Sequence, residues 1–103
     1  MMKISIIENE RKRQLILEGK LIAPWTDELE SVVYRTAVDL DRRKLVIDLR
    51  GLIAISVDGE DVLLALMDRG ARFRASSVFM KQVLKELSRR SRLSKRISRR
   101  KTI

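Results

Sequence analysis

The chain has 103 residues, 45% of them apolar, which fits one domain with one hydrophobic core and leaves no room for a second folding unit of ordinary size. It contains no Cys and no His, so a thiolate nucleophile, an imidazole base and the commonest zinc ligands are all excluded, and neither a metal nor another cofactor is expected. The net charge of +9 is unevenly placed: eight of the 23 Lys and Arg lie beyond Ser88 and no acid follows Glu86, leaving residues 1–88 with 15 basic against 14 acidic groups, a net of +1.

Ile4 and Ile6 alternate with polar residues through Lys3 to Glu8, and Leu15 and Leu17 do the same through Gln14 to Gly19, which predicts two strands. Asn9 to Arg13 between them are polar and few, so a hairpin is the economical connection. Pro24 suits the first turn of a helix beginning near Trp25. In it Leu29, Val32, Val33 and Thr36 or Ala37 recur at helical spacing, and Asp27, Glu28 and Glu30 place negative charge at the positive end of the dipole. This helix is expected to end near Leu40. Lys44 to Leu49 is a short apolar run of the kind buried on both faces of a central strand. Arg50 to Val57 reads as a loop leading to a second helix around Val62 to Met67, closed by Gly70 as a C-terminal cap. Ala71 to Ala75 is a fourth strand. A third helix starts at Ser76 or Ser77, with Phe79, Met80, Val83, Leu84 and Leu87 on one face. The expected fold is α/β, a mixed sheet of about four strands with helices packed on it, in the order β-β-α-β-α-β-α. Residues 1–88 form the domain and 89–103 a basic C-terminal extension.

The segment Asp58-Gly59-Glu60-Asp61 places one carboxylate at an expected N-cap and another three residues later, similar to a capping box. Taken with Leu17, Gly19 and Leu21, with Pro24-Trp25 and Glu28-Leu29, with Val46-Ile47-Asp48-Leu49-Arg50-Gly51-Leu52, with Leu63-Leu64 and with Gly70-Ala71, it resembles a STAS domain, the fold of anti-sigma factor antagonists, over residues 3–88. In regulated members the loop before this helix reads approximately Asp-Ser-Ser-Gly, and the Ser or Thr before the Gly is phosphorylated by a partner kinase that is also an anti-sigma factor. That position is Asp58 here, so the resemblance implies a member without the usual acceptor. Asp58 carries one negative charge where a phosphoserine would carry about 1.5 to 2. Ser56 and Val57 replace the preceding Asp and Ser, and Glu60 and Asp61 make the loop acidic.

Asp48 at the end of a central strand invites comparison with receiver domains, but Glu8 and Glu10 precede a hairpin instead of following the first strand into a helix, and a structural role is the better reading. Trp25 is read as packing at the core edge, and Arg11-Lys12-Arg13, Arg42-Arg43-Lys44, Arg72 and Arg74 as solvated turns and strand faces. The function expected is a non-enzymatic protein-binding module resembling an anti-sigma factor antagonist, with no catalytic residue. It engages an anti-sigma factor or kinase-like protein partner through Ser56, Val57, Asp58, Gly59, Glu60, Asp61 and the helix that follows. The alternative is an adaptor binding nucleic acid or an anionic membrane through Arg89, Arg90, Arg92, Lys95, Arg96, Arg99, Arg100 and Lys101. Those residues equally suit a solvated extension, or docking onto an acidic partner or neighbouring subunit, with Leu93 and Ile97 prolonging the apolar stripe of the last helix. The longest apolar run, Val62 to Met67, is far short of the roughly 20 residues of a spanning helix, and the start turns acidic at Glu8 and Glu10, so a cytoplasmic location is expected.

Overall fold

The computed structural model describes residues 1–37 and 43–101, with the side chains of residues 36, 37 and 94–101 outside the description. The expected helix end near Leu40, and Arg42 of the basic turn, fall outside the described residues. The order is β1 (Met2–Glu8), β2 (Lys12–Leu21), α1 (Trp25–Ala37), β3 (Lys44–Ile55), α2 (Val57–Asp68), β4 (Arg72–Arg74) and α3 (Val78–Lys101). The strands form one mixed sheet in the order β1-β2-β3-β4, antiparallel between β1 and β2 and parallel from β2 to β4. This is the predicted α/β architecture.

The hairpin is tighter than expected because Asn9 organises it. Its side-chain oxygen accepts from the backbone N–H of Arg11 (2.8 Å) and Lys12 (2.9 Å), which closes the turn in three residues and lets β2 start at Lys12. β2 alternates cleanly thereafter. Leu15, Leu17 and Leu21 are fully buried on one face, where they meet Ile47 and Leu49 of β3, Leu29 and Val33 of α1, Leu63 and Leu66 of α2, and Met80 and Leu87 of α3 in one continuous core. Trp25 packs against its edge, as predicted.

The opposite face carries Gln14 and Ile16 of β2 beside Val46 and Asp48 of β3, flanked by Arg72 and Arg74 of β4. Asp48 is buried there and fully engaged. Its carboxylate accepts from Arg50 at 2.7 to 3.2 Å through the guanidinium, from the Arg50 backbone N–H at 3.0 Å and from Gln14 at 3.1 Å. The side-chain hydrogen bonds from Arg50 hold this carboxyl below its ordinary range, with burial opposing them and losing. The structural role read for Asp48 is the one observed.

Three sequence expectations fail in the fold. Arg13, read as solvated, is 5% exposed and its guanidinium donates to Glu8 at 2.7 Å. The segment expected as a loop, Arg50 to Val57, is strand as far as Ile55. The reason is a pair of irregularities in the β2–β3 ladder: Leu17 faces both Leu49 and Arg50, and Ile53 is an extra residue between the pairs Gly19–Leu52 and Lys20–Ala54. Each extra residue reverses the inward phase, so Leu49, Leu52 and Ile55, spaced by three, all meet the core, and Ile53 is left 74% exposed. The third failure is Phe79, expected on the inner face of α3 and found 59% exposed, while its neighbour Met80 is 1% exposed.

The end of α2 and the start of α3 follow the sequence. α2 closes with Gly70 at φ 91°; the Gly70 N–H donates to Met67 O (3.0 Å) and the Ala71 N–H to Leu66 O (3.0 Å), a Schellman closure in which the left-handed position requires glycine. α3 starts at the Ser77 side chain, which accepts from the Met80 N–H at 3.0 Å. It then runs without interruption past Ser88 to Lys101.

Candidate functional site: the start of the second helix

The end of β3 and the start of α2 are held by one backbone oxygen. Leu21 O, at the end of β2, accepts from the Ser56 N–H (3.1 Å) and from the Ser56 hydroxyl (3.4 Å). Ser56 is extended (φ −91°, ψ 172°), and its Oγ accepts from the Gly59 N–H at 3.1 Å while its carbonyl accepts from the Glu60 N–H at 2.9 Å. Ser56 is therefore the N-cap of α2. This corrects the expectation that Asp58 caps the helix. Counting from Ser56, Asp58 is the second helical residue and the third is Gly59, which has no side chain to complete a capping box.

The consequence is a division of labour within six residues. Ser56 and the buried Gly59 face inward and fasten the turn. Gly59 is in such close contact with β2 that a Cβ there would lie 2.6 Å from Leu21 O. Val57, Asp58 and Asp61 face outward and Glu60 is half-buried. Val57 is 72% exposed, as is the extruded Ile53 of β3 at 74%. The carboxylates of Asp58 and Glu60 are in the first turn of α2, near the positive end of its dipole, which favours them where they are.

Asp58 and Asp61 also line a groove of about 340 Å3 between α1 and α2, facing Asp27 and Glu30 across it, with Val62 in its wall. The groove continues along the two helices past Tyr34, Ala65 and Leu66, Glu30 and Val62 belonging to both stretches. At its far end Arg69 lies over the Tyr34 ring, 5.3 Å from the centroid. Among the described residues, no three carboxylates converge closely enough to hold a metal ion.

In its overall course this chain matches solved structures. One is the anti-sigma factor antagonist SpoIIAA in its unphosphorylated form, at a TM-score of 0.60 and 12% identity over 81% of this chain and 82% of that one. The chain has a STAS-like fold. A second match, at a TM-score of 0.49 and 12% identity over 84% of this chain and 93% of the other, is an uncharacterised protein with a SpoIIAA-like fold from Shewanella loihica PV-4. No protein-family model and no curated protein sequence matches the chain. Within the STAS-like fold, Ser56 to Asp61 form the junction of β3 with α2, so the six residues singled out from sequence are brought together on one short turn.

The basic residues of the C-terminal segment are placed differently. Arg89, Arg90 and Arg92 are exposed on α3. Arg89 pairs with Glu86 at 2.7 Å, one turn earlier, and Arg90 reaches Asp61 at 3.8 Å. Lys95, Arg96, Arg99, Arg100 and Lys101 continue the same helix, and their side chains, like that of Ile97, are outside the described residues. Leu93 is 44% exposed. Sequence reading missed Ser91, which is buried and donates from its hydroxyl to Asp68 at the end of α2. The signal was present in the spacing from Leu87, four residues earlier on the buried stripe. No described helix is long and apolar enough to cross a membrane.

Proposed function

We propose that the chain is a non-catalytic protein-binding module of the anti-sigma factor antagonist kind, acting in the cytoplasm. It engages a protein partner, an anti-sigma factor or kinase-like regulator, through the outward side of Ser56 to Asp61 and the first turns of α2. The observation that carries this reading is the exposed Val57, presented beside the exposed carboxylates of Asp58 and Asp61 on a junction fastened by the Ser56 cap and the close Gly59 contact. The likeness to SpoIIAA in fold supports it, since that protein is an anti-sigma factor antagonist. Regulation by Ser or Thr phosphorylation at the usual position is absent, because Asp58 stands there. The only hydroxyl in the segment, that of Ser56, is engaged as an N-cap.

The test is quantitative capture of protein partners from the native cell by the wild-type chain, by Val57→Arg, and by a chain in which Arg89, Arg90 and Arg92 are changed to Gln. Loss with Val57→Arg and retention with the Gln chain supports the reading. The reverse pattern transfers the function to the basic segment and its nucleic-acid or anionic-membrane alternative. Incubation of the chain with the partner and labelled ATP should leave residues 56–61 unlabelled, and labelling there would contradict the proposal.

A further inference from the structure

The groove between α1 and α2 and the far half of α3 have opposite charge. Four carboxylates, Asp27, Glu30, Asp58 and Asp61, line the groove at its open end. They are spread along two helices without converging on a point, so the arrangement suits a rod of positive charge better than a single cation. The chain itself contains such a rod. Beyond Ser88 there are eight Lys and Arg and no acid, and the helix remains continuous to Lys101. Ser91, bound to Asp68, is the last buried residue in the described part of α3, and Leu93 is already 44% exposed. From Ser91 to Lys101 the helix extends about 16 Å at 1.5 Å per residue, close to the length of α2. Just before the arm, Arg90 lies 3.8 Å from Asp61 of its own chain, so a groove carboxylate is already within reach of an arginine of α3.

We infer that the basic arm of α3 docks along the acid-lined α1–α2 groove of a second copy of the chain. The exposed Leu93 then meets the apolar stretch of the groove formed by Tyr34, Ala65 and Leu66. Reciprocal exchange of arms between two copies gives a closed, isologous dimer in which each copy supplies one arm and one groove. Residues 1–88 are nearly neutral, so removal of the arm's charge from solvent against the partner's carboxylates also relieves the strongest concentration of like charge in the molecule. The groove shares Asp58 and Asp61 with the Ser56 junction, whereas Val57 is outside the groove lining, so Val57→Arg tests the partner reading separately from the charge reversals below.

Two charge reversals on the full-length chain test it. The groove variant carries Glu30→Lys and Asp61→Lys, neither in the first turn of its helix. The arm variant carries Lys95→Glu, Arg96→Glu, Arg99→Glu and Arg100→Glu. Each is first confirmed folded by circular dichroism and a cooperative melt, after nuclease treatment of every sample. Sedimentation of the wild type at low ionic strength should show a dimer that dissociates at about 1 M salt, where the screening length falls to about 3 Å. Each variant alone should be monomeric under the conditions in which the wild type is dimeric. An equimolar mixture of the two should restore the dimer, because the reversed arm of one fits the reversed groove of the other. A wild type that is monomeric throughout would overturn the inference, as would a dimer indifferent to the groove variant, or a mixture that stays monomeric. So would an association that vanishes with nuclease or forms only on anionic vesicles.

Discussion

Replacing Gly59 with Ala sets two effects of known sign against each other. In an unstrained helix the substitution stabilises by about 1 kcal/mol, because glycine is the poorer helix former. At this position the new methyl would lie 2.6 Å from Leu21 O and 2.8 Å from Ile55 Cγ1, well inside contact distance. The side chain of Ile55 can turn, but Leu21 O cannot retreat easily, since it is also the acceptor for the Ser56 N–H and hydroxyl. Relief therefore requires α2 to lift from β2, which loosens the N-cap as well. Overpacking of a tight contact costs about 1 to 3 kcal/mol, and a neighbour that is fixed backbone puts the cost at about 3. The net expectation is destabilisation by about 2 kcal/mol. For a domain of this size that lowers Tm by about 10 °C. A thermal melt and a urea titration measure it, with the midpoint falling and the m-value unchanged. A Gly59→Ala chain that melts at or above the wild-type temperature would refute the close-contact account and place α2 farther from β2.

Two further outcomes follow from particular contacts. The Asp48 carboxyl is held low by Arg50, so its contribution to stability is complete above its unfolded value of about 3.9 and is lost as pH falls through the lower folded value. Asp48→Asn removes that titration, so the decline of the urea midpoint below about pH 4 should become shallower, leaving the part due to Glu8 and Glu86, whose carboxyls are also held low by arginines; an equally steep decline would show that Asp48 is not the linked group. On α3, Met80→Ala should cost about 2 to 5 kcal/mol and Phe79→Ala less than about 1, because Met80 is in the core and Phe79 faces solvent. Guanidinium unfolding of the two variants checks the rotation of the helix, and the opposite ranking would turn it by one residue.

The order of elements was legible because most of them obey a single period: β2 alternates in twos, α1 repeats at Leu29 and Val33, and Gly70 and Ser77 stop and start helices by known chemistry. The end of β3 was not, for the physical reason that its two extra residues impose a spacing of three on Leu49, Leu52 and Ile55, and Gly51 between them looks like a breaker. The cap was misassigned by the same kind of ambiguity. Asp58 and Ser56 are both good N-caps, and only the position of the strand end decides between them: once β3 reaches Ile55, Ser56 is the first residue free to take the extended conformation that a cap requires. Phe79 adjoins Met80 in sequence and could not be told from it by periodicity alone, but the stripe of Met80, Val83, Leu84 and Leu87 is complete without it.

The late end of β3 also determines what the candidate site can be. A strand ending at Leu49, as the sequence suggested, would have left Ser56 on a flexible connection and made the acidic residues a mobile charge. With the ladder running to Ile55, the final pair Leu21–Ile55 lies one residue from the cap, and Leu21 O binds strand and helix together. The residues that fasten this junction, Ser56 and Gly59, are largely turned away from solvent, and those that meet it, Val57, Asp58 and Asp61, are exposed. Under the proposed function, stability and recognition fall to different side chains on one turn. Changes at Val57 or Asp58 should alter partner binding with little effect on the melt, whereas any change that frees Leu21 O should disturb both together.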